Sequence, residues 1–89
     1  MNRCSREVSI VNELGLHARA AAKVAEIAGG AKSSVWILKN DQKVDAKSVI
    51  DILTLGCGKE AMITIQIERE SDENILDDIV RLVESGFGE

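Results

Sequence analysis

The 89-residue chain contains no proline and no tyrosine, and only one tryptophan, one phenylalanine and one histidine. Without proline, no helix start has its φ pre-set by a ring. With Trp36 and Phe87 as the only aromatics, the core must be aliphatic, and there is no stacking platform for RNA bases. The two cysteines, Cys4 and Cys57, do not stand at a metal-ligand spacing, and a cytosolic chain with two cysteines rarely carries a disulfide, so free thiols are expected. Positive charge is also in deficit: 11 Lys and Arg against 15 Asp and Glu give a net charge of −4. That balance argues against nonspecific binding to nucleic acid or an anionic membrane. No apolar run approaches the roughly 20 residues of a membrane span. The stretch Met1 to Glu7 has no apolar signal core. A cytoplasmic protein with no membrane insertion is expected.

What is present suits one globular domain over residues 1–89. Apolar residues make up 45% and charged residues 29%, ordinary proportions for a chain that buries roughly 60–65% of its unfolded surface. Glu7 to Val11 alternates, with Val8 and Ile10 on one face, and reads as a strand. Asn12 to Leu16 is a loop containing Gly15. From His17 the period changes: Ala20, Ala21, Val24, Ile27 and Ala28 recur at helical spacing. Gly29-Gly30 stops that helix, with a left-handed C′ residue expected there.

Ser34 to Lys39 reads as a second strand, Asn40-Asp41 as a turn, and Gln42 to Val44 as the return strand of a hairpin. Ser48-Val49-Ile50-Asp51 resembles a capping box and opens a short helix to Thr54 or Leu55, closed by Gly56. Gly56-Cys57-Gly58-Lys59 lacks the spacing of a phosphate-binding loop and precedes a strand, so it reads as a turn. In Ala61 to Glu68, Ile63, Ile65 and Ile67 share one face. A last helix opens at Ser71-Asp72, carries the stripe Ile75, Leu76, Ile79, Val80 and Val83, and ends at Gly86. Its acidic residues come early and Arg81 late, as the helix dipole favours. The order β-α-β-β-α-β-α describes an α+β sandwich whose four-stranded sheet packs one face on helices and leaves the other to solvent.

The chemistry concentrates at "LGLHARAAAKV", Leu14 to Val24. His17 sits at a helix start, where unpaired N–H groups and the dipole favour anions. Arg19 adds a permanent charge with planar donors for phosphate oxygens. A neutral imidazole is a nucleophile near neutral pH. By residue type alone, a lone histidine here is ordinarily a polar cap. General-base or metal roles are weaker still, because the chain has no second histidine and no cysteine at ligand spacing. No metal and no cofactor are expected.

"GLHARAAAKV", followed by "AKSVIDILTLG" and the terminal "SGFGE", resembles the HPr family, the histidine-containing phosphocarriers of the bacterial phosphoenolpyruvate-dependent phosphotransferase system. The likeness runs from Glu7 to Glu89. It implies an open-faced β-sandwich of four antiparallel strands covered on one face by three helices. It also implies that His17 takes phosphate on Nδ1 from phosphorylated Enzyme I and passes it to an EIIA-type acceptor, with Arg19 as the phosphate partner. Such a carrier is a stoichiometric intermediate without independent turnover, and a monomer is expected.

The family's regulatory serine falls on Ser48, which implies an HPr kinase/phosphorylase as a further partner. As an N-cap, Ser48 is equally explained by local structure, and the two roles are compatible. The resemblance places Ile50 and Leu53 beside the histidine, in the surface that docks Enzyme I. Two positions depart from the family. Ala20 stands where proline usually follows the arginine, and Leu14 stands where sugar-type carriers have asparagine. "NELGLHAR" and "SGF" lean toward the nitrogen-type branch, NPr. The competing function is a regulatory protein-binding module on the same fold, controlled by phosphorylation at Ser48 or His17. An acylphosphatase-like hydrolase would need an arginine in a phosphate-cradling loop with a water-positioning amide, and no such pairing is evident.

Overall fold

The computed structural model describes residues 4–89; the expectation drawn from Met1-Asn2-Arg3 lies outside them. The elements follow the order β1 (Ser5–Ser9), α1 (Ala18–Ala28), β2 (Val35–Lys39), β3 (Gln42–Asp45), α2 (Val49–Leu53), β4 (Met62–Ile67) and α3 (Glu73–Glu84). The strands form one antiparallel sheet in the order β1-β4-β2-β3. The fold is α+β, with three α-helices on one face of the sheet.

Register follows from the alternation of the strands. Val8 pairs with Ile63, Ile37 with Ile65 and Val35 with Ile67, so six β-branched side chains point to the same face. All six are buried, as are Ile10, Ile52 and the expected α3 stripe of Ile75, Leu76, Ile79, Val80 and Val83. Each such side chain contributes roughly 1.5–3 kcal/mol by leaving water. The opposite face carries Glu7, Ser9, Thr64, Gln66, Trp36 and Leu38. There Trp36 is half-buried, its indole Nε1 donating to Glu68 Oε1 at 3.1 Å while Lys43 Nζ stands 4.7 Å above the ring.

Three details differ from the sequence reading. The first strand is regular over Ser5–Ser9, and Ile10 continues it through Ile10 N–H to Ala61 O at 2.9 Å and Glu60 N–H to Ile10 O at 2.7 Å. The stop of α1 is right-handed: Gly29 has φ −60°. The chain leaves the helix through three-residue turns, Gly30 N–H to Ile27 O and Ala31 N–H to Ala28 O, both 3.0 Å. Asp72 occupies the N-cap position of α3 but makes no cap bond. Its carboxylate instead accepts the Lys32 and Ser33 amides at 2.9 and 3.0 Å. The side chain that would have capped α3 thus ties down the loop after α1.

Candidate functional site

His17 is the N-cap of α1, with extended backbone (φ −78°, ψ −180°). Its carbonyl accepts Ala21 N–H at 2.8 Å and starts the helix. Its Nδ1 accepts the Arg19 amide at 3.2 Å, so the ring itself plays the part usually taken by Ser or Asp. The first-turn amides leave this end of the helix electropositive. Arg19 is exposed beside it. Ala20, at the position of the family's proline, is fully buried in the first turn, where an amide has no intrahelical partner to lose.

The loop that delivers His17 is held from two sides. Gly15 has φ +64°, and a Cβ there would lie 2.4 Å from Cys57 O and 2.8 Å from Gly58 Cα. Only glycine lets the loop approach residues 57–58 this closely. Leu16 N–H then donates to Cys57 O at 2.9 Å. On the other side, the amide of the buried Asn12 donates to Gly15 O at 2.8 Å.

Glu89 completes the cluster. Its Oε1 accepts the Asn12 amide at 3.0 Å, and its Oε2 makes a short contact with His17 Nε2. The Asn12 amide and then the imidazole hold the Glu89 carboxyl below the usual glutamate range, with the charge of Arg19 adding to them. These partners define the imidazole. Nδ1 faces an N–H and therefore presents its lone pair, while Nε2 faces a carboxylate and carries the proton. The nitrogen that presents a lone pair is thus the one at the helix start.

The segment that brings Glu89 here is a left-handed turn, with φ of +71°, +60° and +77° at Gly86, Phe87 and Gly88. Phe87 is fully buried. Glu89 N–H donates to Gly86 O at 3.1 Å and closes the turn.

The chain's family can be read against this geometry. The profile described as "PTS HPr component phosphorylation site" matches residues 4–85. The chain belongs to the HPr family. It is a phosphocarrier of the phosphotransferase system. It is 36% identical over 84 residues to "Phosphocarrier protein HPr" of Cupriavidus necator, covering 94% of each chain. It is 37% identical over 89 residues to "Phosphocarrier protein NPr" of Shewanella violacea, covering 100% of this chain and 98% of that one. Among solved structures, HPr-C-His from Thermoanaerobacter tengcongensis superposes with a TM-score of 0.90 at 35% identity, covering 100% of this chain and 98% of that one. The open-faced sandwich of this HPr protein agrees with that neighbour.

Other residues singled out in the sequence occupy a second element of this HPr fold. Ser48 caps α2, its Oγ accepting the Asp51 amide at 3.2 Å. Ile50 is 75% exposed and Leu53 39%, while Ile52 is buried. This helix packs against α1, and Leu14, 69% exposed, adds apolar surface from the histidine loop. Sequence reasoning missed Asn12 and Glu89 as site residues. The signal was the Asn in "NELGLHAR" and the glycines flanking Phe87 in "SGFGE", which mark a turn whose target only the fold supplies. Among the described residues no cluster of His, Cys, Asp and Glu is arranged to hold a metal ion, and no helix is long and apolar enough to cross a membrane.

Proposed function

We propose that His17 Nδ1 is the phosphoryl acceptor, that phosphorylated Enzyme I is the donor and that EIIA-type proteins are the acceptors, in sugar uptake or its regulation in the cytoplasm. The observation that carries this reading is the imidazole held between the Arg19 amide and the Glu89 carboxylate. The Nδ1 lone pair attacks phosphorus, and the donor's bond to phosphorus breaks with its electron pair leaving on the donor. Nδ1 loses no proton because it carries none. The Nε2 proton stays, so positive charge develops on the ring facing Glu89. The Arg19 amide, displaced from Nδ1, and its guanidinium then meet the phosphoryl oxygens. Onward transfer is the same step reversed: the P–N bond breaks and its electron pair returns to Nδ1. The chain acts as a single monomeric domain without turnover of its own. Ile50, Leu53 and Leu14 form the apolar part of the docking surface, and Ser48 is the site at which an HPr kinase/phosphorylase would regulate docking.

The test is incubation with phosphoenolpyruvate and Enzyme I, followed by intact mass. One acid-labile, base-stable phosphoryl group is expected, absent in His17→Ala. An acid-stable adduct, or labelling that survives in His17→Ala, would sink the reading.

A further inference from the structure

Lys23 lies on α1 six residues after His17, roughly 9 Å along the helix axis. Its Nζ donates to Phe87 O at 2.7 Å, and a Cβ on Gly88 would come within 3.6 Å of that nitrogen. The acceptor is the carbonyl of the one residue with a Cβ in the left-handed turn of residues 86–88, a conformation such a residue disfavours. Phe87 is thus fixed twice, by its buried ring and by its carbonyl. Two residues later the same backbone delivers the Glu89 carboxylate to His17 Nε2 and Asn12. Lys23 is otherwise exposed, so the fold does not need it for its core.

We propose that Lys23 is a positioning residue for phosphoryl transfer at His17: by holding the Phe87 carbonyl it fixes the 86–88 turn, and the turn fixes the Glu89 carboxylate on the imidazole. The inference rests on reading His17 as the phosphoryl acceptor. Positive charge develops on the ring as Nδ1 takes phosphorus. A carboxylate already in place stabilises that charge without reorganising, whereas one on a loose segment has to be gathered first. Lys23 acts through backbone, while Asn12, His17 and Arg19 act on the Glu89 carboxyl itself.

The test compares Lys23→Met, which keeps the aliphatic stem, with Lys23→Arg, which keeps a donor. The Glu89 carboxyl is titrated by carbon NMR in the unphosphorylated protein, and Enzyme I-dependent phosphorylation gives kcat and KM. In Lys23→Met the Glu89 midpoint should rise toward that of an ordinary glutamate. Its kcat should fall about tenfold with KM little changed, and Lys23→Arg should restore both. In a Glu89→Gln background, Lys23→Met should have no further effect. An unchanged Glu89 midpoint overturns the proposal. So does a rise in KM alone, which would make Lys23 a docking residue, or a full effect in the Glu89→Gln background. The NMR titration needs no phosphoryl donor. A failure of His17 to accept phosphate in the wild type would therefore be seen separately from a failure of the clamp.

Discussion

Asn12 donates both hydrogens of its amide to oxygen, one to Gly15 and one to Glu89. An aspartate there would set carboxylate oxygens against a carbonyl and against another carboxylate. Asn12→Asp is therefore expected to cost about 1–3 kcal/mol of stability and to push Glu89 off the imidazole, slowing phosphorylation of His17. Urea denaturation and single-turnover transfer measure the two effects. A variant as stable and as fast as wild type would mean that the amide contacts do not organise the site. The same scale explains why a histidine stands where Ser or Asp usually caps a helix. Its ring performs the cap bond through Nδ1, the nitrogen that the proposed transfer uses, and on that proposal phosphorus displaces the weak amide donor from the lone pair.

At the scale of elements, α1 and α2 each start on a capping side chain, and each cap stands at a surface site. Ser48→Ala should lose about 1 kcal/mol of cap stability and keep transfer. Ser48→Asp keeps an acceptor for the Asp51 amide, so its melting temperature should stay close to wild type. Its added charge beside exposed Ile50 and Leu53 should raise apparent KM for Enzyme I; transfer as fast as wild type at subsaturating concentration would leave Ser48 a cap alone. The junction between α1 and α3 makes a pH prediction. The Lys32 amide first, then the Ser33 amide and the nearby charges of Lys32 and Lys47, hold the Asp72 carboxyl below its ordinary value. A carboxyl lowered by folding contributes its stability in full above the unfolded pKa of about 3.9. That stability is lost as pH falls through the lower folded value. The melting temperature of Asp72→Asn should therefore lie below wild type at pH 6, with the gap closing as the pH falls below about 4. A gap that stays constant into acid would show that the carboxylate's charge is not what ties the loop.

At the scale of the whole molecule, the helices cover one side of the sheet and Trp36 marks the other. Its indole is only half-buried, and its neighbours Glu68 and Lys43 are polar, so its emission should be red-shifted and quenched by acrylamide. The ammonium above the ring should draw iodide in, and Lys43→Glu should reduce iodide quenching more than acrylamide quenching. A blue-shifted, protected tryptophan would show that a partner copy covers the open face. The helix side leaves a different surface in solvent: His17, Arg19, Leu14, Ile50 and Leu53 come from one loop and two helices. On the proposed function, that combination of a phosphoryl acceptor with apolar neighbours suits brief docking to several partners.

The chain by itself determined whatever has a range of a few residues. The alternation of Ile63, Ile65 and Ile67, the stripe of α3, and the caps at His17 and Ser48 are set by the periods of strand and helix and by bonds to the next turn. Phosphate chemistry was not legible from those periods: glycine, histidine and arginine at one helix start fit a polar cap as well, and the resemblance to the HPr family is what pointed to a phosphocarrier. Only the tertiary structure decided that Asp72 would leave its helix to bind Lys32 and Ser33, and that Gly15 would press against Cys57 and Gly58. It also decided that Glu89, 72 residues away, would reach the imidazole. Those contacts depend on where the sheet order and the left-handed turn at Phe87 carry distant backbone, and local periodicity carries no information about either.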